Sequence, residues 1–382
     1  MTDIKGVRNV YNIGGKETGG RIAVDMRTEI AQLEPDEAPF ITFRRASKKN
    51  TRVAHNPKFE WMEDELTATS DALGADATAA ATTVTVAHGS VFRPGDVILV
   101  GSEAMLVTGV STNTLTVSRG WGGTTAAAAS SAAVVYIIGN AFAENAVSGD
   151  ALTTQVTEKY NYTQIFRTPV QLSNTADKTK MYGGNDRGYQ RGKALLEHKR
   201  SIARAFYAGV RGIDSGHTLR TTGGLFSFLT QTQAFSSAGV TLTYPNFDTY
   251  VAQKVFRYGS KQKLLLAGPK LATAINKWAV DKVVTSVDTN ATFGMRVQKL
   301  ATSYGDLMVT YDPLLGDLGH ADYGVIIDPN YINYVYLDGR DTKLYTNIQE
   351  PDRDGIKDEY LTECGLEVRL PKTHFLITGA YV

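Results

Sequence analysis

One stretch narrows the choice of folds more than any other: Asp186–Gly209, DRGYQRGKALLEHKRSIARAFYAG. Leu195, His198, Ile202 and Phe206 recur every three or four residues and fall on one face of a 3.6-residue helix. Lys193, Glu197, Lys199, Arg200 and Arg204 occupy the rest of its surface. Asn185 or Asp186 suits the start, and Gly209 and Gly212 suit the end. Such a helix is roughly 36 Å long, the width of a small domain. Its apolar stripe is narrow and its charge is strongly positive. The pattern predicts a helix lying across a domain edge, or against other subunits, rather than inside a core.

The flanking chain sets the organisation. Residues 51–72, with Phe59 and Trp61, read as an extended strand, and Tyr160–Leu172 (YNYTQIFRTPVQL) reads as a second. Between them the composition changes. Ala75–Ile138 is rich in Ala, Thr, Val and Gly, and its only charges are Asp76, Arg93, Asp96, Glu103 and Arg119. Alternating runs at 83–86, 96–100, 105–110, 114–118 and 134–138, separated by turn residues, predict a small barrel or sandwich inserted into a loop. Ala126–Ala133 is expected to be a flexible surface loop of that module. Strand, module, strand is the plan of a long hairpin arm with a domain near its tip.

Residues 1–50 carry Gly14-Gly15, Gly19-Gly20, Pro35 and Pro39, and predict an extended arm that cannot build its own core. After Gly223 the pattern is α+β. Helices are predicted at Phe247–Tyr258 and Pro269–Val280, and short strands at 263–267, 297–302, 306–311, 323–327 and 334–337. Residues 285–292 are expected to be a loop, and the alternating tail, 360–370 and 374–378, is expected to close the sheet.

The formal net charge of +1 hides segregation. Lys159–Arg211 holds eleven Lys or Arg against three acids, whereas Glu350–Glu367 holds seven acids against two bases. Phe43–Lys58 is basic throughout, and Glu60, Glu63, Asp64 and Glu65 cluster beyond it. Solvated faces explain most such runs; complementary patches that register copies of the chain are the sharper reading. The residues expected at contacts between copies are Arg44, Arg45, Phe59, Trp61, Glu63, Asp64, Glu65, Arg191, Lys199, Arg200 and Arg204.

No catalytic constellation emerges. Gly183-Gly184-Asn185-Asp186 lacks the lysine of a phosphate loop, and the six histidines are scattered. Adjacent residues in a strand point to opposite faces, so Glu63-Asp64-Glu65 makes a poor metal site. Asp352-Arg353-Asp354-Gly355 lacks the distal Glu of a calcium loop and reads as a turn. Cys364, the single cysteine, is expected to be a buried thiol in a strand, and His198 a packed histidine. No cofactor is expected. No apolar run is long enough to span a membrane, and the N-terminus lacks a signal-peptide core, which predicts synthesis in the cytoplasm.

The phrases FEWMEDEL (Phe59–Leu66), AENAVSGDALTT (Ala143–Thr154), YNYTQIFRTPVQLS (Tyr160–Ser173) and RGKALLEHKRSIARAFYAG (Arg191–Gly209) resemble the major capsid proteins of tailed phages with the Hong Kong 97-type fold. The resemblance covers nearly the whole chain outside the module. It implies an N-terminal arm (1–50) and an extended loop (51–74 and 140–172), with the inserted all-β domain at 75–139. It also implies a peripheral domain with a spine helix (173–222), an axial domain (223–345) and a return to the peripheral domain (346–382). In that family the arm and extended loop lie over neighbouring subunits, in agreement with their having no evident partner in their own chain. The implied function is an icosahedral shell of hexamers and pentamers around double-stranded DNA. Its partners would be a portal and a separate scaffolding protein, and the inserted domain would bind a decoration protein or stiffen contacts between capsomers. Contact with packaged DNA would be weak and non-specific. Lys58 and Asn161 have the residue types of the family's isopeptide crosslink, but no crosslink is predicted. The alternatives are an encapsulin-like compartment shell and, in a different class, a carbohydrate-binding adhesive β protein.

Overall fold

The computed structural model describes residues 51–147, 149, 151–179, 186–236, 239–281, 285–287 and 298–379. The arm expected over 1–50, with Arg44 and Arg45, lies outside the described residues. The chain divides into two compact units. One takes in residues 51–61 and everything from Tyr160 onward; the other is Met62–Lys159.

The smaller unit is built on the inserted module. Its strands follow one another around the sheet as Ser70–Ala72, Val134–Asn140, Asp96–Val100, Glu103–Ser111, Thr114–Ser118 and Thr83–Thr85. Leu73 then pairs with Val86, and the Gly74 N–H donates to the Thr85 carbonyl at 2.9 Å, so the sheet closes into a barrel. Val84, Ile98, Met105, Val107, Leu115 and Val135 alternate inward and fill it. All five expected strands are present. A sixth, Ser70–Ala72, precedes the expected start of the module and falls in the stretch read as part of one extended strand.

Residues 126–133 correct the expectation of a flexible loop. Ala129 and Ala77 exchange two backbone hydrogen bonds of 2.8 Å, and the Asp76 carboxylate accepts from the Ser131 N–H at 2.6 Å. A buried ion pair anchors the same region. Arg119 donates Nε and Nη2 to the two oxygens of Glu103, each at 2.7 Å, and the Ala127 N–H donates to Glu103 at 3.0 Å.

Among the described residues the larger unit contains two large sheets and a small pair, Gly212–Ile213 with Arg220–Thr221. In one, Thr51–Ala54 runs parallel to Ile332–Leu337, which pairs with the long strand Gly355–Val368; Gln164–Ser173 lies along the far side of that strand. Lys343–Tyr345 also pairs with the long strand. The other sheet has seven strands, centred on Gly324–Ile327, Gln262–Ala267 and Asp306–Tyr311. It includes Thr285–Val287, expected to be loop, paired with Gln298–Ala301. Lys263–Ala267 is buried, as its apolar run implies for a strand covered on both faces. Phe375–Thr378 joins this second sheet, whereas Gly355–Val368 belongs to the first, so the tail serves both rather than closing one.

The long helix is Asp186–Ala208, within one residue of its expected span. It packs against Gln164–Ser173 and Gly355–Val368. Ala194, His198, Ile202, Ala203, Phe206 and Tyr207 are buried, and Leu195 of the expected stripe is partly so. The small side chains of Ala194 and Ala203 let the sheet approach. Phe206 and Tyr207 enter a core that also holds Leu264, Leu266, Leu315, Ile332, Cys364 and Leu366, joining the helix to both sheets. Each such large apolar side chain contributes about 2–3 kcal/mol on burial. The helix is not enclosed by the core: its apolar face covers a sheet, while Lys193, Glu197 and Arg204 are exposed. A second core, with Phe247, Val251, Val255, Leu271 and Ile275, covers the other side of the seven-stranded sheet.

The two extended segments also depart from expectation, because both find partners in their own chain. The 51–72 stretch is three strands, not one. Thr51–Ala54 pairs in the five-stranded sheet, Lys58–Glu63 pairs with Thr157–Tyr162 as a two-stranded ribbon, and Ser70–Ala72 enters the barrel. Pairing in the ribbon uses residues almost a hundred positions apart, which strand periodicity cannot reveal.

Candidate assembly surfaces

The long strand Gly355–Val368 is acidic in sequence and buried in the structure. Strand pleating divides its residues. Asp358, Thr362, Cys364 and Leu366 share one face, and Glu359, Glu363 and Glu367 share the other. On the first, Arg187 donates Nε and Nη2 to Asp358 at 2.9 and 2.8 Å, and Arg191 Nε donates to Asp358 Oδ2 at 2.9 Å. The Arg187 guanidinium in particular holds the Asp358 carboxyl down to about 2. His198 sits between two threonines, with Nδ1 2.9 Å from Thr168 Oγ1 and Nε2 2.7 Å from Thr362 Oγ1. It is the packed histidine that the helix stripe implied.

On the other face each glutamate meets arginine. Arg167 pairs with Glu359 at 2.7 Å, Arg220 and Arg340 with Glu363 at 3.1 and 2.6 Å, and Arg52 with Glu367 at 2.6 Å. The acidic run is therefore paired inside the chain at Asp358, Glu359, Glu363 and Glu367. The reading that it serves as a patch for another copy is corrected at these four positions. A buried carboxylate needs a partner close by, and these arginines come from within the fold.

Two further polar clusters escaped the sequence reading. Asn161 is fully buried, and its amide donates to Leu366 O at 2.7 Å and to Thr222 and Gly223 at 3.1 Å. Lys263 is also buried, and its ammonium donates to the carbonyls of Val255 and Tyr258 at 2.8 Å and of Thr373 at 2.6 Å. Burial lowers that ammonium to about 8. A lone lysine inside an apolar run (KLLLA) was the available signal.

The expected contact residues fall into two groups. Phe59 and Trp61 are buried, stacked on each other with ring centroids 6.2 Å apart and packed with Ala54 and Val335. Glu63 is buried in the ribbon. Arg191 is held by Asp358, and Arg200 Nη2 donates to Asp317 at 2.6 Å. These five engage their own chain. Asp64, Glu65 and Arg204 are exposed, and Lys199 is partly so. The ribbon end that carries the two acids also exposes apolar side chains: Met62 is 77% and Leu66 97% accessible. Lys58, besides pairing with Glu60, lies over the Tyr160 ring 4.6 Å from its centroid.

Among the described residues no group of His, Cys, Asp and Glu has the geometry to hold a metal ion, and no helix is long and apolar enough to cross a membrane. The family model described as SU10 major capsid protein matches residues 7–381. The chain belongs to that family.

It is accordingly a self-assembling major capsid protein of a tailed-phage icosahedral shell, a structural component of the virion rather than an enzyme. The family match falls on neither the compartment shell nor the adhesive β protein. No curated protein matches the sequence. Among solved structures, the capsid of a native GTA particle is similar over 96% of this chain and 98% of its own, with a TM-score of 0.51 at 11% identity. The capsid of the cyanophage P-SCSP1u covers 95% of this chain and 94% of its own, with a TM-score of 0.48 at 10% identity. The capsid of the Myoviridae phage XM1 covers 94% and 99%, with a TM-score of 0.47 at 11% identity. The fold is the α+β capsid fold of the Hong Kong 97 type, carrying a β-rich insertion.

Proposed function

We propose that this subunit closes its shell by laying the ribbon end at Asp64–Glu65 over the basic outer face of the long helix of a neighbouring copy. In this reading Asp186–Ala208 is the spine helix of a peripheral domain at 173–222 and 346–382. The seven-stranded sheet belongs to an axial domain at 223–345. Residues 51–74 and 140–172 form the extended loop, and 1–50 is an arm on a further neighbour. Hexamers and pentamers are the capsomers. The chain is made in the host cytoplasm and assembles with a portal and a separate scaffolding protein; its contact with packaged DNA is weak and non-specific.

The observation that carries the reading is the exposure at the ribbon end. A two-stranded ribbon is marginal in water, and this one holds Met62 and Leu66 in solvent beside two carboxylates. A partner with apolar stems and positive tips fits that surface, and Lys199 and Arg204 offer both. Arg44 and Arg45 extend the same chemistry to the arm. Phe59, Trp61, Glu63, Arg191 and Arg200 act indirectly, by fixing the ribbon base and the helix.

Carbodiimide crosslinking of shells assembled from a mixture of ordinary and nitrogen-15-labelled chains tests it. The expected products are mixed-isotope peptides joining Asp64 or Glu65 to Lys199. Links to Lys199 found only within one isotope, or none from the ribbon end, would overturn the assignment.

A further inference from the structure

The barrel carries apolar side chains on part of its outer face as well as in its core. Asp96 and Glu103, the charged residues of its two central strands, are buried, while most outward positions of these strands and of Val134–Asn140 are apolar, Thr108 being an exposed exception. Val97 and Leu99 on one strand, Leu106 on the next, and Val134, Tyr136 and Ile138 on the third all face away from the core. The register sets them side by side. Tyr136 is opposite Leu99, and Val97 is opposite Leu106. Val134 is 45%, Tyr136 51% and Ile138 58% accessible.

Runs such as DVILV (Asp96–Val100) and VVYII (Val134–Ile138) are apolar at consecutive positions, the pattern of strands covered on both faces. Here one face is covered by the barrel core and the other is open. A shift of register does not explain this, because Ile98, Met105 and Val135 already fill the core from the alternate positions.

We infer that this outer face is a docking surface for the same face of a second copy of this chain, formed between barrels of neighbouring subunits in the shell. The inference rests on the shell reading above. Two features select a copy over a different protein. First, the outward positions of the three strands carry no charge, so two identical faces meet without like-charge repulsion; a foreign partner is more often registered by complementary charge. Second, only Val134, Tyr136 and Ile138 are well exposed, with Val97, Leu99 and Leu106 half-buried beside them, a smaller apolar surface than each partner contributes to a stable free-standing interface. A contact this small holds only when something else brings the copies together, as a lattice does. The free subunit therefore stays monomeric through this face, and the assembled one closes it.

The test replaces Tyr136, whose exposed position tolerates a polar side chain without loss of the barrel. Shells made from Tyr136→Glu chains alone, or from Tyr136→Lys chains alone, should dissociate at a lower temperature than the parent shells. Shells from an equimolar mixture should recover most of that loss, because opposite charges then face each other. Tyr136→Cys provides an independent readout, since Cys364 is buried. Oxidation should give covalent dimers in shells and none in the unassembled chain. Both charge variants melting like the parent, or a mixture as weak as either alone, would overturn the proposal. So would normal shells that lose a co-purifying second protein, which would assign the face to that protein. If the parent chain with its genomic neighbours makes no shells, the shell reading fails first, and this contact fails with it.

Discussion

Arg187 and Asp358, 171 positions apart in sequence, form a two-point ion pair that ties the first turn of the long helix to the long strand. Asp358 is almost fully buried and Arg191 shares it. Asp358→Asn leaves two guanidinium groups against a neutral amide and is expected to cost about 3 kcal/mol. Denaturant unfolding of the unassembled chain measures it as a lower midpoint with an unchanged slope.

The same carboxylate gives a pH signature. Its folded value is depressed to about 2, chiefly by the Arg187 hydrogen bonds, so its contribution is complete above the ordinary aspartate range. That contribution is lost as pH falls from about 4 towards 2. The stability gap between parent and Asp358→Asn should be constant near neutrality and shrink across that window. A gap independent of pH would contradict the assignment.

Lys263 predicts the opposite direction. Burial holds its ammonium near 8, below the unfolded value, so folding disfavours the charged form. The cost is full below pH 8 and is relieved as pH rises towards the ordinary lysine range. Lys263→Met removes that dependence and leaves three carbonyls without their donor, an expected loss of about 3 kcal/mol at neutral pH. Paired stability curves at pH 7 and pH 9 check both statements.

In the barrel, Arg119→Leu strips the charge partner from buried Glu103 and the donor from Thr78 O. The expected loss is about 4 kcal/mol, confined to Met62–Lys159. Hydrogen exchange on the full chain should show lost protection in the barrel strands, with Gly355–Val368 unchanged.

Tyr207 donates to Asp312, whose carboxyl burial pushes up and whose other oxygen accepts from the Leu314 N–H at 2.9 Å. Tyr207→Phe removes that donor and is expected to cost about 2 kcal/mol near neutrality. The deficit should narrow on acidification, since a protonated Asp312 no longer buries a charge. Thermal melts of the unassembled chain at pH 5 and pH 7 measure it.

What the sequence disclosed and what it concealed follow from range. The long helix, the barrel strands and the Lys263–Ala267 strand were legible because their signals are local periodicities. Partner choice was not. Arg52 meets Glu367 across 315 positions and Arg220 meets Glu363 across 143, and charge runs were read as surface patches. A clue was present in the spacing of Glu359, Glu363 and Glu367, which a strand places on one face. Phe59 and Trp61 read correctly as an alternating strand but not as a packed one, because their partners Val335 and Phe228 lie far along the chain. For the contact residues, Asp64, Glu65 and Arg204 are exposed and Lys199 partly so, whereas Phe59, Trp61 and Glu63 are buried, and no sequence pattern carries that distinction.

The central claim is that this chain builds a closed shell. Sedimentation with negative-stain microscopy of the purified chain, expressed alone and with its genomic neighbours, tests it most directly. The account predicts uniform shells, or hexamers and pentamers that convert to shells. A monomer that persists under every condition, genomic neighbours included, would contradict it.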